Sequence, residues 1–166
     1  HPKLVEQESN ISEEDMNDYK AFIVLAIYRS LLFPCTAFCS DSLKFLNTAG
    51  LFNKNINNLP SNLVELKLGN NFNKPIDYLP KSLKKLFISG YDNEYGVFDQ
   101  SIDNLPNNLK ELIIESENFN QSINNLPKNL EVLTIFSEFF DQSLDLLPNS
   151  LINLRLSGDP FNQPIN

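Results

Sequence analysis

Phe119-Asn120-Gln121-Ser122-Ile123-Asn124-Asn125-Leu126-Pro127-Lys128-Asn129-Leu130-Glu131-Val132-Leu133-Thr134-Ile135 is one copy of a phrase that the chain writes five times. The Leu-Pro step recurs at Pro60, Pro80, Pro106, Pro127 and Pro148, spaced 20, 26, 21 and 21 residues apart. The phenylalanine keeps the same step at Phe52, Phe72, Phe98, Phe119 and Phe140, with a sixth at Phe161. A period of about 21 residues carrying Leu-x-x-Leu-x-Leu or -Ile is the pattern of a leucine-rich solenoid. Such a fold offers one long ordered face and usually no catalytic cleft.

Within the quoted copy, Leu130, Leu133 and Ile135 alternate with Thr134 and Phe136, the period of a strand with one side inward. The pattern predicts equivalent strands over 63–68, 83–88, 109–114 and 151–156, and a first one at Leu43-x-x-Leu46-x-Thr48. All run in the same chain direction, so they stack as a parallel sheet at about 4.8 Å spacing. Asn-Leu-Pro disfavours helix at its leucine and fixes φ at its proline, which predicts non-α return arms built of extended chain or short 3₁₀ turns. Phe119, Ile123 and Leu126 then point from the return arm toward the strand leucines. The fold class read from this pattern is a mainly β solenoid. It is a right-handed leucine-rich-repeat-like coil with its parallel sheet on the concave face and an N-terminal α-helical cap. One copy alone buries too little to fold; it needs neighbours on both sides.

Each phenylalanine is followed by a short carbonyl side chain: Asn53, Asn73, Asp99, Asn120, Asp141 and Asn162. Stacked at a corner, these can accept backbone N–H groups that the turn leaves unpaired. A metal-binding column is disfavoured, since only two of the six are carboxylates. One irregularity breaks the period. Between Ile88 and Phe98 the chain carries about five extra residues, bracketed by Gly90 and Gly96 and containing Tyr91 and Tyr95. Solenoid insertions emerge as corner loops, so this is either a tolerated surface loop or a recognition loop.

Phe72-Asn73-Lys74-Pro75-Ile76 and Phe161-Asn162-Gln163-Pro164-Ile165 complete a Phe-Asn-x-Pro-Ile signature, with Ser101, Ser122 and Ser143 standing for proline in other copies. With the Leu-Pro and Leu-x-x-Leu-x-Ile segments, residues 43–166 resemble the FNIP-repeat family, a leucine-rich-repeat subclass of social amoebae and amoeba-infecting giant viruses. The resemblance implies protein interaction. Some members carry an F-box ahead of the repeats and select substrates for ubiquitin ligases; residues 1–42 lack its Leu-Pro opening.

The domain reading is therefore a leader over 1–42 and a single solenoid of five to six repeats over 43–166, truncated within a repeat at its C-terminus. Residues 1–20 carry six acids against Lys3 and Lys20, half of the net charge of −8. Ser12-x-x-Asp15 caps a helix expected over 13–32, whose Met16, Tyr19, Phe22, Ile23 and Ile27 recur at helical spacing. That helix is either a lid on the first repeat or an oligomerisation element. Cys35 and Cys39 are too few for a disulfide scaffold and read as a bridged pair or as two small buried groups. The acidic balance disfavours nucleic acid. The longest apolar run, 21–27, is too short to span a membrane. A cytoplasmic location is expected, in the host cell if viral. The sequons Asn10-Ile11-Ser12 and Asn120-Gln121-Ser122 leave secretion open.

No enzyme is expected. The only histidine is His1, and the chain has no glycine-rich phosphate loop and no Cys/His metal spacing, so catalytic, cofactor and metal residues are all read as none. The outward strand positions are more informative. Phe87, Ile113, Val132 and Phe136 are expected to form an apolar diagonal flanked by Lys85, Glu111, Glu115 and Arg155. Exposed aromatics ringed by charge are the usual look of a protein-binding surface. The function read here is protein recognition on the strand face. The alternative is a structural or self-assembling piece joined as a homo-oligomer through the open C-terminal end or the N-terminal helix.

Overall fold

The computed structural model describes residues 43–48, 50, 52–89 and 95–157. Six strands follow one another in chain order: β1 Phe45–Asn47, β2 Glu65–Leu68, β3 Lys85–Ile88, β4 Glu111–Glu115, β5 Val132–Phe136 and β6 Asn153–Ser157. They form one sheet in the order β1-β2-β3-β4-β5-β6, every pair parallel. Between successive strands the described chain makes paired turns, as at 77–78 and 81–82 or 103–104 and 107–108, and no helix. The expected non-α return arm is what forms. The chain is a parallel β-solenoid of about five turns.

The strands start later than the sequence pattern suggests. Leu63, Leu83, Leu109 and Leu130 are fully buried, yet each closes a turn, donating its N–H to the carbonyl of Pro60, Pro80, Pro106 or Pro127 at 3.0–3.2 Å. The next two residues then share one acceptor: Val64 and Glu65 both donate to the Lys44 carbonyl, at 2.8 and 3.0 Å. Lys110 and Glu111 do the same to Lys84. Regular pairing begins only after this bend. The first leucine of Leu-x-x-Leu-x-Leu thus faces the core from a turn, which alternation alone cannot reveal.

The core is a set of columns running along the coil. Leu46, Leu66, Leu86, Leu112 and Leu133 stand abreast, all at most 2% exposed. Opposite them, the rings of Phe52, Phe72, Phe98, Phe119 and Phe140 stack with centroids 6.0–6.2 Å apart and planes within 16° of parallel. A centroid step longer than the usual strand spacing means that the rings are offset rather than eclipsed, the arrangement that aromatic quadrupoles favour. Ile123 and Leu126 are buried beside them, as their spacing predicts.

The corner residues make a ladder. The Oδ1 atom of Asn53 accepts the Asn73 N–H at 3.0 Å, Asn73 that of Asp99 at 3.1 Å, Asp99 that of Asn120 at 3.2 Å, and Asn120 that of Asp141 at 3.0 Å. Each acceptor thus serves the same position of the following rung. From Asn73 onward the same oxygen takes a second hydrogen bond, from the Nε2 of Gln100, Gln121 or Gln142 at 2.8–2.9 Å. Asp and Asn are interchangeable here because only the acceptor oxygen is used. Asn73→Ala should leave two donors without this partner and lower stability by about 1–2 kcal/mol in chemical denaturation, whereas Asn73→Asp should stay near wild type.

The expected helix over 13–32, Cys35 and Cys39, Tyr91, Phe161 and Asn162 all lie outside the described residues.

Candidate functional site

Inward columns leave the alternate side chains on the other side of the sheet. Register places Phe45, Glu65, Lys85, Glu111, Val132 and Asn153 in one row and Asn47, Lys67, Phe87, Ile113, Thr134 and Arg155 in the next. A third, shorter row holds Glu115, Phe136 and Ser157.

Phe87 and Ile113 are therefore direct neighbours, but the apolar group is not the diagonal that the sequence suggests. The partner of Ile113 on β5 is Thr134, and Val132 and Phe136 flank that threonine on either side. The patch is a fork, with Phe87 and Ile113 as its stem. Its prongs close over Thr134, which is only 6% exposed although it lies on the outward side. Phe87, Ile113, Val132 and Phe136 are each half-buried, because cross-strand neighbours on one side of a sheet cover one another's flanks.

The charges around the fork are largely committed to each other. Lys85 Nζ lies 2.9 Å from the Glu111 carboxylate, and Lys67 Nζ lies 3.5 Å from Glu65. The hydrogen bond to Glu111, reinforced by that carboxylate's charge, pushes the Lys85 pKa above the usual lysine value. An exposed pair of this kind adds little stability but fixes where two side chains point. Lys67 Nζ also sits 4.8 Å from the centroid of the Phe87 ring, a cation–π contact. Lys67 and Glu65 belong to this site although the sequence reading left them out. The 20-residue step from Lys67 to Phe87 is the signal that would have found them. Arg155 is exposed on β6 and Glu115 half-buried on β4, at the edge of the fork as expected.

Of the insertion, Tyr95 is described and is 51% exposed. The chain leaves the regular pattern after Ser89 and rejoins it at Gly96, which bridges to Ser116. Gly96 N–H donates to the Glu115 carbonyl at 2.9 Å, and Val97 N–H to that of Asn70 at 2.9 Å. A Cβ at position 96 would lie 3.1 Å from the Glu115 carbonyl oxygen and 3.3 Å from that of Asn70, which is why glycine stands there. On the return-arm side, a shallow hollow is lined by Asp77, Tyr78, Asp103, Asn104 and Leu105. Within it Asn104 Nδ2 donates to Asp77 Oδ1 at 2.9 Å, and Asp103 Oδ1 accepts from Asn125 Nδ2 at 3.0 Å. Among the described residues no cluster of His, Cys, Asp and Glu could hold a metal ion, and no helix is long and apolar enough to cross a membrane.

Two stretches of the chain, residues 52–91 and 98–137, match the family described as FNIP Repeat. Among solved structures, the chain is similar to the crystal structure of CroV588, a giant-virus protein described as a novel circular LRR protein structure. The two are 28% identical with a TM-score of 0.49, over 74% of this chain and 25% of CroV588. The chain thus corresponds to about a quarter of that protein's length. No curated protein sequence matches the chain.

Proposed function

We propose that this chain, two stretches of which match the FNIP repeat, is a protein-recognition module that binds its partner on the outward face of β3, β4 and β5. The observation that carries this reading is the fork of Phe87, Ile113, Val132 and Phe136. It is an apolar group on the outward side of the sheet, held by cross-strand packing and rimmed by the Lys85–Glu111 pair. Half-buried aromatics with fixed rotamers lose little entropy on binding, and a rim of charge supplies orientation and partner choice. The module acts by binding and not by catalysis. Adaptor duty for a ubiquitin ligase would add an F-box, whose Leu-Pro opening is lacking in residues 1–42. A cytoplasmic setting accompanies this reading, since the chain does not rely on a disulfide scaffold.

The test is a double substitution, Phe87→Ser with Phe136→Ser, compared with wild type in capture from extracts of the native cell. Specific partners should drop by roughly tenfold or more, as removal of two central aromatics does at interfaces. The circular dichroism spectrum should be unchanged. Undiminished capture by a folded variant would remove the fork as the binding site.

A further inference from the structure

The charges around the fork are matched at one end of the strands and unmatched at the other. At the starts of β3, β4 and β5 each acid has a lysine: Glu111 pairs with Lys85, and Glu131 with Lys110. What remains there is Lys84, exposed and without an ion pair among the described residues. Its carbonyl accepts the Lys110 N–H at 2.8 Å, so it stands level with that residue. At the exits the balance reverses. Glu115 closes β4 in register with Phe136, and Glu117 and Glu138, both exposed, come two residues further along. Glu138 N–H donates to the Glu117 carbonyl at 3.0 Å, which sets these two on adjacent rungs. None of the three acids is in an ion pair among the described residues, and Arg155, level with Thr134 on β6, is not paired with them.

Like charges on neighbouring strands repel, so stability gives no reason to stack unmatched acids on adjacent rungs. A cation brought by a partner does. Aromatic side chains border the same spot. Tyr95, 51% exposed, precedes the Gly96 that bridges to Ser116, so its backbone is level with Glu115 on one side as Phe136 is on the other. Carboxylates and ring faces together suit a lysine or arginine side chain. The fork lies between these acids and Lys84, and the two ends are roughly 20 Å apart at about 3.3 Å per strand residue. We propose that the fork takes a peptide segment of a partner protein with a fixed charge order along the strands. Its apolar side chains cover Phe87, Ile113 and Phe136, a lysine or arginine lies over the strand exits, and an acidic residue lies over Lys84. The inference rests on the reading that the fork is a binding site and names the chemistry of what it binds.

The probe is a phage-displayed library of random dodecapeptides, selected on the full chain. Selected sequences should share an apolar core with lysine or arginine at one end and aspartate or glutamate at the other. Failure to select any peptide, or a consensus that is uncharged or acidic throughout, overturns the proposal. The tightest peptide is then titrated by fluorescence anisotropy against two charge reversals at exposed positions, Glu117→Lys with Glu138→Lys and, separately, Lys84→Glu. The glutamate reversal should weaken binding roughly tenfold or more, and a peptide with its basic end changed to glutamate should restore it. Lys84→Glu should likewise be rescued by a peptide whose acidic end is changed to lysine. Reversals that leave affinity unchanged, or that no complementary peptide rescues, overturn the charge order. Phe87→Ser with Phe136→Ser separates the two readings. If it abolishes peptide binding while the reversals do nothing, the fork stands as the site and the charge order falls; if it too leaves binding intact, both fall.

Discussion

Phe119→Ala should destabilise the chain by about 3–5 kcal/mol, the range for removing a fully buried aromatic ring. The ring is 0% exposed and lies between Phe98 and Phe140, at 6.0 and 6.2 Å. Its removal therefore opens a gap that two neighbouring rungs line. Collapse into that gap is resisted by the corner ladder, where Asn120 is tied both to Asp99 behind it and to Asp141 ahead. Phe45→Ala is the control. That ring is 61% exposed on β1, so its loss should change stability by no more than about 0.5 kcal/mol. Urea unfolding followed by circular dichroism measures both. A Phe119→Ala loss below about 1.5 kcal/mol would mean that the phenylalanine column is not the spine of the coil.

The second large effect concerns length. Deleting residues 98–118 removes one whole turn, β4 included, and joins Val97 to Phe119. The shortened chain should fold, because the strand backbones, the core columns and the corner side chains that lose a partner meet equivalent ones. Ser116 Oγ donates to the Gly96 carbonyl at 3.0 Å, and Ser137 Oγ makes the matching bond to Glu117 at 2.9 Å, so Ser137 can take over at Gly96. Gln121 likewise replaces Gln100 as the donor to Asn73. Deleting only 98–107 places turn against strand and should abolish folding, since neither the leucine nor the phenylalanine columns can then be continuous. Stability in such coils is close to a sum of rung and neighbour terms, so the in-phase deletion should lower the denaturation midpoint but keep a cooperative transition. Loss of all structure in both deletions would contradict the modular account.

Most of the architecture was legible because repetition makes one local argument serve many times. The order, direction and register of the strands follow from the spacing of Leu66, Leu86, Leu112 and Leu133, and the turn-rich return arms follow from Asn-Leu-Pro. Two things escaped. The strands start two residues later than alternation predicts, since burial at Leu63 or Leu109 looks the same whether the backbone is a strand or a turn closed on proline. Alternation along single strands predicts a line of apolar groups where the sheet forms a fork. Their cross-strand partners, including Thr134 between Val132 and Phe136, depend on the register of β4 against β5. Alternation places Lys67 outward but does not join it to the fork, because its contact is with the ring of a neighbouring rung.

Gly96 has a further consequence. Backbone pairing is complete on either side of the irregular segment: Ser89 N–H reaches Leu68 and Val97 N–H reaches Asn70. The register of β3 against β4 stays regular across about five extra residues, so the coil tolerates added length here. That makes the stretch between Ser89 and Gly96 a natural place to graft a foreign peptide, such as an epitope or an affinity tag. The glycine at the point of re-entry is the one residue that such an engineering scheme must preserve.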